Sequence, residues 1–449
     1  MRITLHGAAR EVTGSCYHLQ SQKANVLVDC GLFQGSFFAR SKNFEDFPFD
    51  PKTLDAVFIT HAHLDHTGRL PKLVKDGFKG PIYLTPPTAD ITALLLRDAV
   101  DIMEEDLRHS FRPVLYSKED AERAIAMFKK LDDRDGLCFK DLTVDFHNAS
   151  HIFGSCFYRI TEQGTGKSTI FSGDLGNVNT PLLQPKDDLP LADALFIEST
   201  YGHRLHEDEK SRSALLKQAV LDTVKNKGVL LIPSFAVERT QELLFEFNHL
   251  VENGLMSKVD MYLDSPMAIH ANDILNSHPK YYSREALRLI SVGDKLYEFP
   301  GLKITGTRDE SKKINEAPRP KVIIAGSGMM NGGRILHHLV RYLGDAKNTL
   351  LIIGYQAEGT LGRKLYSGEK KVQVLNENVY VKAKVLSIGG YSAHADQRML
   401  MDWVKSAKTP PKNVFCTHGD ELACSALSTE LSSHGINADV PRLGQSIDV

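Results

Sequence analysis

The sequence predicts an α/β protein of two domains, and three observations carry that prediction. Its 449 residues exceed what one ordinary core spans. Short apolar runs separated by Gly, Asn or Asp fill the first sixty residues, whereas from near residue 210 strand patterns alternate with helix patterns. Such alternation implies a parallel sheet covered by helices on both faces. After residue 380 the chain returns to strand-plus-histidine stretches, so the boundaries fall near 205 and 380. A hydrophobic content of 42%, a charged content of 24% and a formal net charge of -2 exclude a disordered tail and a polycationic surface. Any nucleic-acid partner must therefore be held by a local patch. The N-terminal MRITLHGAAREVTGS has no apolar signal-like core, and no apolar run reaches the roughly eighteen residues that span a bilayer, so a cytoplasmic protein is expected. The cysteines Cys16, Cys30, Cys138, Cys156, Cys416 and Cys424 form no C-x-x-C pair and are expected to be buried free thiols.

The elements follow in order. RITLHG, SCYHLQ, NVLVDCG and DAVFIT read as a β-meander. TGRLPKLVKDGF and TADITALLLRDAVDIMEEDLRH carry apolar residues at helical spacing, and SKEDAERAIAMFKKL opens a third helix, with Ser117 three residues before Asp120 as its cap. LTVDFHNA, CFYRITE, STIFSGD and ADALFIEST are strands. The second part then alternates: helix SALLKQAVLDTVKN, strand GVLLIPS, helix TQELLFEFNHLVEN, strand KVDMYLD, and later the strands PKVIIAGSG and NTLLIIGY. The single tryptophan, Trp403, sits in a helical stretch and is expected in the core.

DAVFI runs directly into THAHLDHTG, which brings His61, His63, Asp65 and His66 within six positions. Neutral imidazole and carboxylate are the usual nitrogen and oxygen donors for zinc, and a loop leaving a strand can aim them into one small volume. With the alternation of an extended loop, His61 and His63 point the same way and suit one ion, while Asp65 and His66 fall further on and suit a second. Four other stretches each set a donor at the end of an apolar strand: FHNASHIFGS offers His151, with His147 the weaker choice, TIFSGD offers Asp174, VLSIGGYSAHAD offers His394, and NVFCTHGD offers His418. Together they supply donors for two four-coordinate sites sharing a carboxylate.

HAHLDH, with Asp29 in VLVDCG upstream and SHIFGS and SGD downstream, resembles the metallo-β-lactamase fold, an αββα sandwich with its metals at one edge. FIESTYG, PSFAVERTQELL, YLDSPMA, AGSGMMNGGR, GYQAEGTLGR, GYSAHAD and THG resemble the β-CASP branch of that superfamily, a group of RNA-processing nucleases that includes RNase J and the mRNA 3′-end cleavage nuclease. The resemblance implies a metallo-β-lactamase domain in residues 1–205 and 381–449, with an inserted β-CASP α/β domain in residues 206–380. It implies that His61, His63, His151 and Asp174 bind a first zinc ion and Asp65, His66, Asp174 and His418 a second. Asp29 matches the acid that orients these ligands, and Glu198 and His394 match the acid and histidine paired beside the scissile phosphate; Asp65 also counts among the catalytic residues.

PKVIIAGSGMMNGGRILHHL reads as strand, glycine-rich turn and helix, whose backbone N–H groups can receive a phosphate. Ser327, Gly328, Met329 and Arg334 are the expected substrate contacts there, joined by Ser234 and Arg239 in PSFAVERTQ and by Arg363 after the turn GTLGR. The activity expected is hydrolysis of phosphodiesters in single-stranded RNA, leaving 5′-phosphate and 3′-hydroxyl ends; endonucleolytic cleavage is favoured, and the sequence leaves 5′-to-3′ exonucleolytic cleavage open. The two zinc ions would supply a hydroxide at neutral pH and His394 would protonate the leaving oxygen. A histidine at the position of His418 goes with RNA in this superfamily, whereas the DNA-repair branch has an apolar residue there. A site between two domains would also admit a thin strand more readily than a duplex. A homodimer is expected from related enzymes. A small-molecule hydrolase of the lactamase or glyoxalase type is the alternative, disfavoured by the large second domain, and a catalytically dead scaffold is disfavoured because no ligand is missing.

Overall fold

Successive side chains of a strand point to opposite faces, so a strand that is apolar on both must be covered on both. Asn25–Val28 buries Val26, Leu27 and Val28, and Ala56–Phe58 and Ala194–Glu198 are buried throughout. The arrangement that covers them is seen in the computed structural model, which describes the chain apart from residues 111–113, 133–135, 178–179, 207–208, 257 and 355. The chain divides into two compact units, one made of Met1–Val178, Leu183–Leu205 and His394–Val449, the other of Asn179–Leu182 and His206–Ala393.

Two seven-stranded sheets build the first unit. One runs, edge to edge, through Ser446–Asp448, Arg2–Leu5, Tyr17–Gln20, Asn25–Val28, Ala56–Phe58, Ile82–Leu84 and Phe128–Lys130. The other runs through Ala438–Asp439, Asn413–Thr417, Ala194–Glu198, Ser168–Phe171, Cys156–Glu162, Leu142–Asn148 and Leu137–Phe139. Ile3, Val26, Val28 and Phe58 of the first pack against Val144, Tyr158, Ile160 and Phe196 of the second, so the two sheets face each other across one core. The alternate residues Leu27, Val57, Ile59 and Ile82 pack outward against Leu70, Leu73 and Ala124 of helices. Phe157, Ile170, Leu195 and Val414 pack outward against Leu400, Trp403, Val404 and Leu427 on the opposite side. Each such Leu, Ile or Val, fully buried, contributes about 1.5–3 kcal/mol. The result is the αββα sandwich.

Three details differ from the sequence reading. The first three strands are antiparallel, but Ala56–Phe58 joins Asn25–Val28 in parallel, because the long connection between them carries the chain back to its starting end. The helix capped at Ser117, with its reciprocal bond to Asp120, stops at Ala126, and Phe128–Lys130 leaves it to pair in parallel with Ile82–Leu84. Cys138 is exposed, whereas the other five cysteines are buried free thiols. Trp403 is 3% exposed, packs edge-on against Phe157 and donates its indole N–H to the Asp187 carbonyl at 2.9 Å.

The second unit holds a parallel sheet in the order Leu302–Ile304, Asp260–Asp264, Lys321–Ala325, Val229–Pro233, Thr349–Ile352 and Lys384–Ser387. The sequence ends the inserted domain at residue 380; this unit runs on to Ala393, since Lys384–Ser387 pairs with Thr349–Ile352. Val229, Leu231 and Ile323 pack with Ile335, Leu339 and Tyr342 of one helix and with Val372, Val374 and Val379 of a two-stranded hairpin, Lys371–Val374 and Glu377–Tyr380. Tyr355 of the GYQAEGTLGR motif lies outside the described residues.

Candidate metal centre

The site forms where strands of both sheets in the first unit end. Ala56–Phe58 delivers the loop that carries His61 and His63 and the single helical turn Leu64–Thr67 that carries Asp65 and His66. Leu142–Asn148 leads to His151, Ser168–Phe171 to Asp174 and Asn413–Thr417 to His418. Asp29, Ser150 and His418 hold positive φ angles of 60°, 56° and 48°. Non-glycine residues adopt that region at a cost of order 1–3 kcal/mol each, and such residues cluster where a side chain must be aimed. Two glycines admit the loops. A Cβ on Gly31 would stand 1.5 Å from the Asp65 carbonyl oxygen, and one on Gly176 would stand 1.6 Å from that of Ser150.

His61, His63, His151 and Asp174 bring one donor atom each within 4.8 Å of one another; Asp65, His66 and His418 form a second such group. His63 Nδ1 lies 3.2 Å from both His61 Nε2 and His151 Nε2, and His66 Nε2 lies 3.1 Å from His418 Nε2. Asp174 faces both groups. Its Oδ2 is 3.4 Å from His61 Nε2 and 3.4 Å from His151 Nε2, and its Oδ1 is 3.3 Å from His66 Nε2 and 3.4 Å from His418 Nδ1. Asp65 Oδ2 lies 3.7 Å from His418 Nε2. His147, the weaker candidate, stands outside the groups and stacks on Phe157.

The side chains behind these groups orient them. Asp29 accepts from the Thr60 N–H at 2.8 Å, from the Thr60 hydroxyl, and from His66 Nδ1 at 2.7 Å. A carboxylate oxygen accepts, so His66 Nδ1 carries a proton towards Asp29, and its Nε2 faces Asp174. Thr60 Oγ1 is 3.1 Å from His61 Nδ1, which likewise leaves His61 Nε2 facing inward. Thr60 was not singled out from sequence, although it stands directly before His61; nothing in the sequence marks it as the residue that ties Asp29 to that ring.

Burial pushes the His61 imidazole down to about 3, with His66 adding to the effect, and pushes His63 down to about 4 and His151 well below its usual range. These rings are neutral at pH 7, so each keeps one nitrogen lone pair, and His63 Nδ1 stands 3.2 Å from a ring nitrogen of both His61 and His151. Burial opposes ionisation of Asp174 and Asp65, but the surrounding histidines win and hold both carboxyls below the ordinary range. Burial also opposes protonation of His66, and there the Asp174 and Asp29 charges prevail and lift it well above its usual value. Among the described residues, neither His151 Nδ1 nor Asp174 Oδ1, both buried, finds a hydrogen bond of good geometry, although His66 Nε2 stands 3.3 Å from the latter. Crowded neutral imidazoles and ionised carboxylates, with buried polar atoms short of good hydrogen bonds, are what a cation relieves, and a nitrogen-rich set with carboxylates suits a zinc-class ion.

A third group joins Asp174, Glu198 and His394. His394 Nδ1 lies 3.1 Å from Glu198 Oε2, and Glu198 Oε1 accepts from the Leu175 N–H at 2.7 Å. Ala395 donates to the Leu175 carbonyl at 2.7 Å and Gly176 bridges to His394, so backbone as well as side chain holds the ring. Lys186, which sequence reasoning missed in an irregular segment, donates to the Gly176 carbonyl at 2.8 Å. Burial pushes the His394 ring down, but the Coulomb attraction of Glu198 and its hydrogen bond more than reverse this and raise the ring to about 9.

The expected substrate contacts lie in the second unit. Ser234 ends Val229–Pro233 and its hydroxyl accepts from Thr240 at 2.9 Å. Arg239 is 4% exposed and bonds Glu242 and the Tyr391 carbonyl. The glycine-rich turn is present: the Ser327 hydroxyl accepts from the Asn331 N–H, Gly328 packs where a Cβ would stand 2.5 Å from Phe235, and the Met329 carbonyl accepts from Gly362. Arg334 commits its guanidinium to Asp264 at 2.7 Å and to the Thr305 and Gly306 carbonyls. Arg363 pairs with the exposed Glu358 at 2.8 Å.

Comparison with known proteins matches this arrangement. Residues 9–225 fit the family profile described as the metallo-beta-lactamase superfamily, residues 240–365 the Beta-Casp domain, and residues 378–441 the Zn-dependent metallo-hydrolase RNA specificity domain. Ribonuclease TTHA0252 of Thermus thermophilus is 38% identical over 449 residues, covering 100% of both chains. Transcription termination factor FttA of Methanosarcina mazei is 32% identical over 96% of this chain and 69% of that protein. An RNase J-like protein of Methanocaldococcus jannaschii is 33% identical over 93% of this chain and 92% of its own. The crystal structure of a protein of unknown function from Enterococcus faecalis V583 superposes with a TM-score of 0.56 at 12% identity, covering 100% of this chain and 99% of that one, a likeness of fold alone. The chain belongs to the β-CASP nuclease branch of the metallo-β-lactamase superfamily.

Proposed function

We propose that this protein is a zinc-dependent ribonuclease that cuts single-stranded RNA endonucleolytically and leaves 5′-phosphate and 3′-hydroxyl ends. The observation that carries the reading is the pair of donor groups sharing Asp174, with the Glu198–His394 pair beside them. His61, His63, His151 and Asp174 would hold one ion and Asp65, His66, Asp174 and His418 another. Two divalent ions held so would activate water at neutral pH and neutralise charge on a phosphodiester.

The chain's own groups do the remaining work. Asp29 fixes the tautomer of His66, and Thr60 that of His61. His394, raised to about 9, carries a proton at neutral pH and gives it from Nε2 to the departing 3′-oxygen. Glu198 keeps that ring charged and aimed. Ser327, Gly328, Met329 and Arg363 belong to the substrate-binding surface in this reading, the glycine-rich turn through its N–H groups, while the buried Ser234 and Arg239 and the Asp264-bound Arg334 support that surface from behind. The names of the relatives, a ribonuclease and an RNase J-like protein, support RNA as substrate. The buried thiols Cys16, Cys30, Cys156, Cys416 and Cys424 suit a reducing cytoplasm, and no described helix is long and apolar enough to cross a membrane. A homodimer completes the reading, and a monomer by light scattering would remove it.

The test incubates zinc-loaded protein with RNA labelled at either end, DNA of the same sequence, and a β-lactam or thioester. Internal cuts in RNA alone support the reading. Turnover of the small molecule without RNA cleavage would replace it with a metallo-hydrolase of the lactamase or glyoxalase type.

A further inference from the structure

We infer that the outward face of the hairpin Lys371–Val374 and Glu377–Tyr380 is an accessory, non-catalytic platform for single-stranded RNA, an inference that rests on the ribonuclease reading above. The alternation of the hairpin sets it up. Val372, Val374 and Val379 are 3%, 1% and 7% exposed and point into the core, which turns Lys371, Gln373, Asn378 and Tyr380 to the other side. Pairing in register sets Lys371 opposite Tyr380 and Gln373 opposite Asn378, so the four side chains form two adjacent cross-strand pairs.

The chemistry of that face is specific. Tyr380 is 63% exposed, and the Lys371 ammonium stands 5.5 Å from its ring centroid. An aromatic ring left uncovered beside an ammonium offers a stacking surface for a base and a charge for the phosphate next to it. Gln373 and Asn378 add amides that both donate and accept, as base edges require. The Val381 N–H bonds the Lys370 carbonyl at 2.9 Å, so backbone pairing holds the Lys371–Tyr380 pair from its outer side as well.

Charge complementarity selects the occupant. Arg363 and Lys384 are neutralised by Glu358 and Asp222. Lys364, Lys370, Lys371 and Lys382 are exposed and have no carboxylate within ion-pair distance among the described residues. In a chain with a net charge of -2, residues 364–382 thus carry four unpaired lysines against the exposed Glu369 and Glu377, and one of them, Lys371, stands beside a bare ring. A duplex hides the faces of its bases, so a partner that uses both ring and cations is a single strand.

The experiment measures fluorescence anisotropy and steady-state cleavage with one single-stranded RNA for the wild type and for Tyr380→Ala, Tyr380→Phe and Lys371→Glu, each first checked for an unchanged melting temperature. Tyr380→Ala should raise Kd and KM about 5- to 100-fold with kcat unchanged, and Tyr380→Phe, which keeps the ring, should restore both. Lys371→Glu should weaken binding and lower the salt dependence by about one counterion. Ultraviolet crosslinking of 4-thiouridine RNA to the wild type should label the peptide that carries Tyr380, a readout that needs no variant. Wild-type Kd and KM in Tyr380→Ala and Lys371→Glu, or no crosslink on that peptide while the enzyme still cuts RNA, overturns the platform alone. A wild type that neither binds nor cuts RNA overturns the ribonuclease reading with it.

Discussion

His394 gives the most direct residue-scale test, because its position separates proton donation from ion binding. His394→Ala should keep its metal content by elemental analysis and lose about 10²- to 10⁴-fold in kcat. The Glu198 carboxylate keeps this ring protonated up to about pH 9. In the wild type, kcat should therefore hold through neutral pH and fall on the alkaline side, and in Glu198→Gln the decline should begin at lower pH, as a pH–rate profile would show. The same elevation sets the sign of its effect on stability: the pair stabilises the fold fully below the ordinary value of 6.5, and that contribution is lost as pH rises through about 9. At this scale the sequence was most legible where donors are neighbours. His61, His63, Asp65 and His66 share one loop and turn, so their spacing alone announced a cluster. Thr60 and Lys186 were not legible, since the hydrogen bonds through which they act, to Asp29 and to the Gly176 carbonyl, exist only in the folded chain.

Elements position these residues by approaching more closely than side chains allow. Gly176 donates to the Ala149 carbonyl at 2.9 Å, and any Cβ there meets Ser150. Gly176→Ala should push the His151 loop from the Asp174 strand end, lowering bound metal and melting temperature together; full metal content in that variant would show that the loop tolerates the shift. In the second unit, Asp264 gathers His338 at 2.8 Å, Ser311 at 2.7 Å, Thr305 at 2.8 Å and Arg334 at 2.7 Å. Burial raises its carboxyl, but the bond to His338 and then those to Ser311, Arg334 and Thr305 bring it down to about 2. The stabilisation is present above the ordinary 3.8 and is lost as pH falls through about 2. Asp264→Ala should cost about 3 kcal/mol at neutral pH by urea unfolding, since it leaves a half-buried arginine unpaired. Alternating strand and helix patterns made this unit's parallel sheet readable. The parallel entry of Ala56–Phe58 was not, because strand direction depends on the path of a long connection and not on the residues of the strand.

For the whole molecule, the αββα order followed from resemblance in the motifs, and strand burial supplies its physical reason: the strands are apolar on both faces, one for the facing sheet and one for helices. What local pattern could not supply was convergence, since His151, Asp174 and His418 meet His61 only after the ends of strands from two different sheets come together. The two donor groups also differ in the protons they hold when empty. His61, His63 and His151 are already stripped of their second proton by burial, whereas His66 keeps one under the pull of Asp174 and Asp29. Filling the first group near neutrality should liberate no imidazole proton, while filling the second must expel that of His66. Zinc titrations by calorimetry in buffers of contrasting ionisation heat should therefore give one buffer-independent step and one whose apparent enthalpy tracks the buffer, so that occupancy of the two positions could be counted separately.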